Sequence, residues 1–123
     1  MELEGLDVVK YLNGPDTVRD GSLVSLSVAH VATVPVIELV FEVPRKLGAR
    51  VVKIELRDIR EFDYWYSEDN PPVVIAFVKC LMIDAGDFYL SLDPYDEREN
   101  FVSSEDHEFF RAGRVKLTAY EFE

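Results

Sequence analysis

The chain has 123 residues and carries 24 acidic against 13 basic side chains, for a formal net charge of −11. This length accommodates one hydrophobic core, so residues 1–123 are predicted to form a single domain. The strongly negative balance repels nucleic acid and excludes nucleic-acid binding as the expected function. A single cysteine, Cys80, allows neither an internal disulfide nor a cysteine-based zinc cluster, which favours a reducing cytoplasmic location.

No stretch of the sequence is typical of a membrane protein or an exported one. No apolar run approaches the roughly 18 residues that a bilayer-spanning helix requires. The first residues, Met-Glu-Leu-Glu, lack the basic start of a secretory signal. We therefore expect a soluble protein with no membrane partner.

The first half of the chain predicts one short helix and three strands. Apolar residues recur at helical spacing over residues 3–12, and the Gly14-Pro15 pair ends that helix. Alternating apolar and polar residues, the period of a half-buried strand, follow over residues 24–30, 35–43 and 51–59. The last two are predicted to be antiparallel neighbours, because a parallel crossover needs about a dozen connecting residues.

The second half predicts three more strands and a turn of helix. Residues 73–83 are apolar on both faces, which is typical of a strand covered on both sides. A hairpin follows, with its second strand over residues 88–93. Residues 103–110 begin like a helix, and residues 114–122 alternate as a closing strand. About six strands with short connections predict a mainly β fold, an antiparallel sandwich or a partly closed barrel.

The acidic residues are concentrated in the second half. Residues 1–60 hold 8 basic and 9 acidic side chains, whereas residues 61–123 hold 5 and 15. A field of one sign attracts a partner of the opposite sign and speeds its approach. The pattern indicates recognition of a basic protein surface and identifies no reaction.

No combination of residues predicts catalysis. Cys80 lies in the most apolar predicted strand, where a thiol behaves as a small hydrophobic group. His30 continues an apolar stripe, and His107 stands among carboxylates that favour its charged form. Glycine-rich phosphate loops are missing. We expect no catalytic residue and no enzymatic activity.

Two stretches carry candidate partner-binding residues. One combines aromatic and acidic side chains: Glu61, Asp63, Tyr64, Trp65, Tyr66, Glu68 and Asp69. The other is an acidic loop with Asp93, Asp96, Glu97 and Glu99. Trp and Tyr offer large rigid contact areas and are enriched at interface hot spots, although the same rings could also cover one end of the core.

The acidic loop also offers the oxygen ligands that calcium prefers. Counted from Asp93, however, the third position is Tyr95 and the sixth is Arg98, so the spacing of an EF-hand is missing. A solvated charged loop is the favoured interpretation. No metal site and no cofactor are expected.

The order of the segments from about Asp20 onward resembles that of a known family. The resemblance rests on the apolar residues 73–83, the turn Asp84-Ala85-Gly86-Asp87, the phrase Phe88-Tyr89-Leu90-Ser91-Leu92-Asp93-Pro94 and the closing strand after Arg114. These features are similar to the immunity protein 50 family of small bacterial immunity proteins. The resemblance implies protection of a cell by binding a toxin, and it assigns no functional residue.

Three functional hypotheses follow. The leading one is a non-enzymatic interaction protein, specifically an immunity protein that neutralises a basic toxin. The second is a small barrel or sandwich that binds calcium or an apolar ligand, with a pocket lined by Phe77, Phe88 and Tyr120. The third is a hydrolase with paired carboxylates, which ranks last because no nucleophile or base can be named.

Overall fold

The computed structural model describes residues 1–15, 17–64 and 74–122. Within these ranges it contains the following elements: β1 (Glu2–Glu4), α1 (Leu6–Leu12), β2 (Ser22–Val31), β3 (Val34–Pro44), β4 (Ala49–Asp63), β5 (Lys79–Ile83), a one-turn 3₁₀ helix (Asp84–Gly86), β6 (Asp87–Asp93) and β7 (His107–Phe122). The predicted class, mainly β and antiparallel, is confirmed. The strands number seven rather than the six expected from the sequence.

All seven strands belong to one antiparallel sheet, which does not close on itself over the described residues. The strand order is β2-β3-β4-β7-β6-β5, and β1 is attached to β7. β7 pairs with β4 along most of its length. On its other side, the first half of β7 pairs with β6 and the second half pairs with β1. β7 is thus the central strand, β2 and β5 form the two outer edges, and the three-residue β1 is a short additional edge beside β7.

The main core lies between one face of the sheet and helix α1. Leu39 of β3, Ile54 of β4 and Leu117 of β7 lie side by side and are fully buried. Val8 and Leu12 of α1 belong to the same buried cluster. Each such side chain stabilises the fold by about 1.5–3 kcal/mol relative to an exposed position. The inward faces predicted for residues 35–43 and 51–59 are confirmed.

The strand buried on both faces is β6, and the prediction of that role for residues 73–83 is wrong. Among residues 74–83, the part of this stretch that the structure describes, only Lys79–Ile83 forms a strand, and Val74 and Phe77 are exposed. Ile75 is buried between exposed neighbours, and its N–H donates to the carbonyl of Gly21. In β6, by contrast, the first six residues are all buried. The reason is tertiary, because distant residues contact the second face of this strand: Arg60 and Arg111 pair with Asp87, whereas Asp106 of residues 94–106, the β6–β7 connection, and the ring of Phe109 contact Tyr89.

The turn of helix predicted at residues 103–110 is also wrong. The Asp106 N–H donates to the Ser103 carbonyl at 3.1 Å in a turn, and β7 begins at the next residue. Phe110 is fully buried in the sheet, where it lies opposite Phe62 on one side and Leu90 on the other. Burial between two strands thus overrides the helix-like start of this segment.

Helix α1 and strand β2 differ in detail from the elements predicted for them. The helix predicted over residues 3–12 begins only at Leu6, because Glu2–Glu4 pairs with β7. In β2, a register shift between Leu23 and Ser25 leaves Val24 exposed. Beyond this point Leu26 is half-buried against the core, but Val28 and His30 are exposed, so the predicted half-buried face of residues 24–30 is wrong apart from Leu26.

Candidate functional site: an acidic end of the sheet

The two predicted partner-binding stretches meet at one end of the sheet. Asp63, at the end of β4, lies opposite Phe109 of β7. Asp93, at the end of β6, lies opposite His107 of β7. Because β7 runs between β4 and β6, the start of β7 joins the two stretches. We call the carboxylates gathered there, Glu61, Asp63, Asp93 and Glu108, the acidic end.

Glu108 shows that these carboxylates act on one another. Its side chain is half-buried, and burial raises the pKa of its carboxyl. The negative charges of Asp93 and Asp63 raise that pKa further, and His107 lowers it. The backbone of Glu108 also has φ of 47°, a conformation that costs free energy for a residue other than glycine.

Apart from the effect of His107 on Glu108, no ion pair in the described part of the chain compensates the charge of the acidic end. None of the ion pairs there involves Asp63, Asp93 or Glu108. Asp63 and Asp93 are exposed. A cationic group from outside would therefore relieve a repulsion that the folded chain leaves in place.

Two aromatic rings border the acidic end. The ring of Phe62 stacks on buried Phe110 with centroids 6.3 Å apart, and the ring of Tyr64 lies 6.5 Å from the same ring. Tyr64 is half-buried, whereas Phe62 keeps 44% of its surface exposed. Both rings cover this end of the core and leave area for a partner. The other predicted residues of this stretch, Trp65, Tyr66, Glu68 and Asp69, lie outside the described residues.

The other carboxylates of the predicted acidic loop are paired within the chain. The pairs are Asp96 with Arg98 at 3.1 Å, Glu97 with Arg19 at 2.9 Å and Glu99 with Lys79 at 3.0 Å. The last two pairs attach the β6–β7 connection to other parts of the fold. Of the predicted loop, only Asp93 contributes to the acidic end.

A buried polar network lies beneath the β6–β7 connection. The side chains of Lys79 and Asp106 are fully buried, and Lys79 Nζ lies 2.9 Å from Asp106 Oδ2. The hydroxyl of Tyr89 donates to the same oxygen at 2.7 Å. The backbone N–H groups of Tyr95 and Ser103 also donate to the Asp106 carboxylate. Asp106 thus ties the connection to β5 and β6.

In this network, hydrogen bonds affect the pKa values of Asp106 and Lys79 more strongly than burial does. Burial by itself would raise the pKa of Asp106, but donation from Lys79, Tyr89 and two backbone groups leaves it below its usual value. Burial would likewise lower the pKa of Lys79, yet its two carboxylate partners leave it raised. Both groups therefore remain charged at neutral pH. The network is satisfied internally, so we assign it to stability.

One residue of the sequence indicates this network, although the alternation of apolar and polar residues does not reveal it. Lys79 is the one charged side chain within the apolar residues 73–83. A lysine is almost never fully buried unless it is paired, so a charged residue inside such a run predicts a buried partner. Its partners lie 20 and 27 positions away, and the spacing does not identify them.

The residues considered for other chemistry are not brought together. Cys80 is buried in the core, and burial raises the pKa of its thiol, which keeps it protonated. His30 is exposed on β2. Phe77 and Tyr120 are exposed whereas Phe88 is buried, so these three rings do not line the predicted ligand pocket.

An open cavity of about 430 Å³ lies beside the second half of β7. Its lining includes Phe88, Arg57 and Arg114. Arg57 is already paired with Glu55 at 2.6 Å, and Arg114 with Asp58 at 2.9 Å. The cavity thus offers a ligand two arginines whose charge is satisfied.

Two further findings concern the described residues as a whole. No group of three or more His, Cys, Asp or Glu side chains among them has the arrangement of a metal site. No helix in residues 1–15, 17–64 and 74–122 is both long and apolar enough to cross a bilayer.

Comparison with models of known protein families, with curated proteins and with solved structures finds no match for this chain. The resemblance to the immunity protein 50 family therefore stays a prediction.

Proposed function

We propose that this protein is a non-enzymatic interaction domain that binds a basic protein partner through the acidic end. The observation that carries the proposal is the convergence of Asp63, Asp93 and Glu108 around the start of β7, where none of them forms an ion pair among the described residues and His107 is the one basic neighbour that acts on Glu108. Phe62 and Tyr64 border this cluster. An unpaired charged cluster next to partly exposed aromatic rings has the composition of a binding surface.

The two kinds of side chain act on different steps of binding. Exposed carboxylates attract a basic surface over several ångströms, which raises the association rate and makes it depend on salt. Aromatic rings that become buried in the complex slow its dissociation. Binding would also lower the repulsion at Glu108, because a cation near Asp63 and Asp93 stabilises all three carboxylates.

The finer proposal is that the partner is a toxin and that this chain is an immunity protein. The predicted resemblance to the immunity protein 50 family supports it, and so does the uncompensated negative charge, since many toxins that act on nucleic acid need a basic surface. A bound acidic protein would occupy that surface and block it. The acidic end then acts by steric and electrostatic exclusion, without a chemical step.

The test begins with the protein encoded beside this chain in its genome. That protein is expressed, and its binding to the immobilised chain is followed by surface plasmon resonance at several salt concentrations. The interface variant carries Asp63→Lys and Asp93→Lys. The matched control carries Glu42→Lys and Asp84→Lys, which change the net charge equally at exposed positions away from the start of β7.

We expect the interface variant to associate at least about tenfold more slowly than the control, with a weaker salt dependence. The wild-type chain, but not the interface variant, should also protect cells that express the neighbouring protein. Equal slowing by both variants would show that only net charge matters and would remove the acidic end as the site. A neighbouring protein that neither binds the chain nor harms cells would contradict the toxin proposal.

A further inference from the structure

The edge strand β2 presents an unusually bare surface. It is ten residues long and pairs only with β3 among the described residues. Residues 27–34, which include the end of β2 and the start of β3, are all exposed. The β2–β3 hairpin therefore extends beyond the core as an arm. Such a strand offers unpaired backbone groups to any other strand that approaches it.

This arm also lacks charge. Residues 21–37 contain no Asp, Glu, Lys or Arg, although 30% of the whole chain is charged. Natural edge strands are usually protected by charged side chains, by proline or by bulges. The bulge of β2 lies near its start, between Leu23 and Ser25, and the pairing is regular from there to Val31. The outer half of the edge has none of these protections.

The hairpin geometry identifies the backbone groups that point outward. Val31 and Val34 flank a two-residue turn, so they form the hydrogen-bonded pair that closes the hairpin. In an antiparallel ladder the residues between such pairs direct their N–H and C=O groups away from the partner strand. Counted back from Val31, these are His30, Val28 and Leu26.

We propose that β2 pairs in antiparallel fashion with β2 of a second copy of this chain, which forms a dimer with one continuous sheet. Two copies with a charge of −11 each repel one another over most of their surfaces. Along residues 21–37 that repulsion is absent, because no charged side chain faces another in any register. The extended arms also hold the two acidic bodies apart.

Self-pairing of β2 closes on itself. An antiparallel pair of identical strands has a two-fold axis, so each copy uses the same edge and no further copy can join there. At the opposite edge, side chains bind the backbone of β5 and of the residue before it: Asn13 donates to the carbonyl of Cys80, Arg19 donates to the carbonyl of Val78, and Glu97 accepts from the Val78 N–H. We therefore expect a dimer and not a filament.

The experiment measures the mass of the full chain by sedimentation equilibrium over a concentration series. We expect twice the chain mass of 14.1 kDa for the wild type. Ser27→Lys places a charge on the exposed edge, and Glu38 directly opposite on β3 favours a lysine there, so the fold is retained. Ser104→Lys is the matched control, with the same change at an exposed position of the β6–β7 connection.

A second variant tests the backbone itself. Val28→Pro removes an outward N–H and leaves the ladder to β3 intact, as proline does on edge strands. Circular dichroism checks that each variant is folded. We expect the dimer dissociation constant to rise at least about tenfold for Ser27→Lys and Val28→Pro and to stay unchanged for Ser104→Lys.

Three results would overturn the proposal. One is a wild-type mass of a single chain up to about 1 mM protein. Another is a dimer whose dissociation constant is the same in the folded edge variants and in the control. The third is a series of larger assemblies that grow with concentration, since a pairing that closes cannot produce them.

Discussion

The two edges of the sheet are built in opposite ways. β5 is five residues long, and distant side chains bind the backbone of β5 and of the residue before it. Asn13 donates to the Cys80 carbonyl at 3.0 Å, Glu97 accepts the Val78 N–H at 3.0 Å, and Arg19 donates to the Val78 carbonyl. β2 is twice as long, and among the described residues Ile75 binds the backbone only of Asp20 and Gly21, directly before the strand, so the outer side of β2 itself is not paired.

This difference shows how the chain uses its charge. The sequence predicts a solvated charged loop that includes Glu97 and Glu99. In the fold these two residues instead bind Val78 and Lys79 and so hold the β6–β7 connection against β5 and the residue before it. The acidic half of the chain thereby protects one edge of the sheet. The other edge belongs to the uncharged residues 21–37 and has no such protection.

The largest loss of stability is expected at Lys79, the fully buried charged residue of β5. Lys79→Ala would leave Asp106 buried without its cation, which typically costs about 3–5 kcal/mol of unfolding free energy. Urea unfolding measures the loss. Lys53→Ala, at an exposed position of β4, should change stability by less than about 0.5 kcal/mol. Similar losses for both variants would show that the Lys79 pair does not hold the fold.

Lowering the pH should weaken the contacts at the β5 edge before it affects β2. The pKa values of Asp106 and Glu97 lie below their ordinary values of 3.8 and 4.5, because hydrogen bonds to the charged forms outweigh burial. Groups with lowered pKa values stabilise the fold above their ordinary pKa, and this stabilisation is lost as pH falls through the lowered values. Stability should therefore fall steeply below about pH 4.

The variant Asp106→Asn separates this contribution from general acid unfolding. It removes one titrating group, so its stability should depend less on pH in the acid range, from a lower value at pH 7. Urea unfolding at a series of pH values gives the slopes. Glu105→Gln, an exposed neighbour, serves as the control. An acid slope of Asp106→Asn equal to that of the wild type would contradict the assignment.

Uncovering the β5 edge should have a smaller cost and a visible consequence. Asn13→Ala removes the donor to the Cys80 carbonyl and should lower stability by about 1 kcal/mol. A molecule with two bare edges can associate in an open series, so larger assemblies should appear in sedimentation. Asn100→Ala, at an exposed position, should do neither. A variant that stays the size of the wild type would show that the remaining contacts, which include those of Arg19 and Glu97 with Val78, suffice to protect this edge.

The smallest effect is expected at the tip of the arm. Ala32 and Thr33 have φ values of 51° and 69°, which are unfavourable for these residues and suit Asn-Gly in a turn of this kind. The double variant Ala32→Asn, Thr33→Gly should raise unfolding free energy by about 0.5–1 kcal/mol. The dimer dissociation constant should not change, because the outward groups of β2 are untouched. A lower stability would mean that the turn depends on contacts of the native side chains.

The comparison of the two edges also separates what was predictable from what was not. The buried face of β3, with Ile37, Leu39 and Phe41, was predicted because a period of two residues is a local property. The burial of both faces of β6 was not, because it depends on Asp106 reaching Tyr89 from the β6–β7 connection. Side-chain alternation indicates which face of a strand is buried, but it does not indicate which segment of the chain covers that face.

The candidate site divides in the same way. Tyr64, Asp63 and Asp93 were predicted from their chemistry, as members of two separate stretches. Their convergence was not predicted, since it follows from the position of β7 between β4 and β6. Glu108 was missed because it lay inside a wrongly predicted helix. A strand that starts at His107 places it among the carboxylates.

The sequence by itself determined the mainly β class, the antiparallel pairing of β3 with β4 and the core faces of these two strands. These features follow from side-chain alternation and short connections, which are local. Only the tertiary structure decided which carboxylates are paired and which are left uncompensated. An ion pair such as Arg19 with Glu97 joins residues 78 positions apart, and no local pattern carries that information.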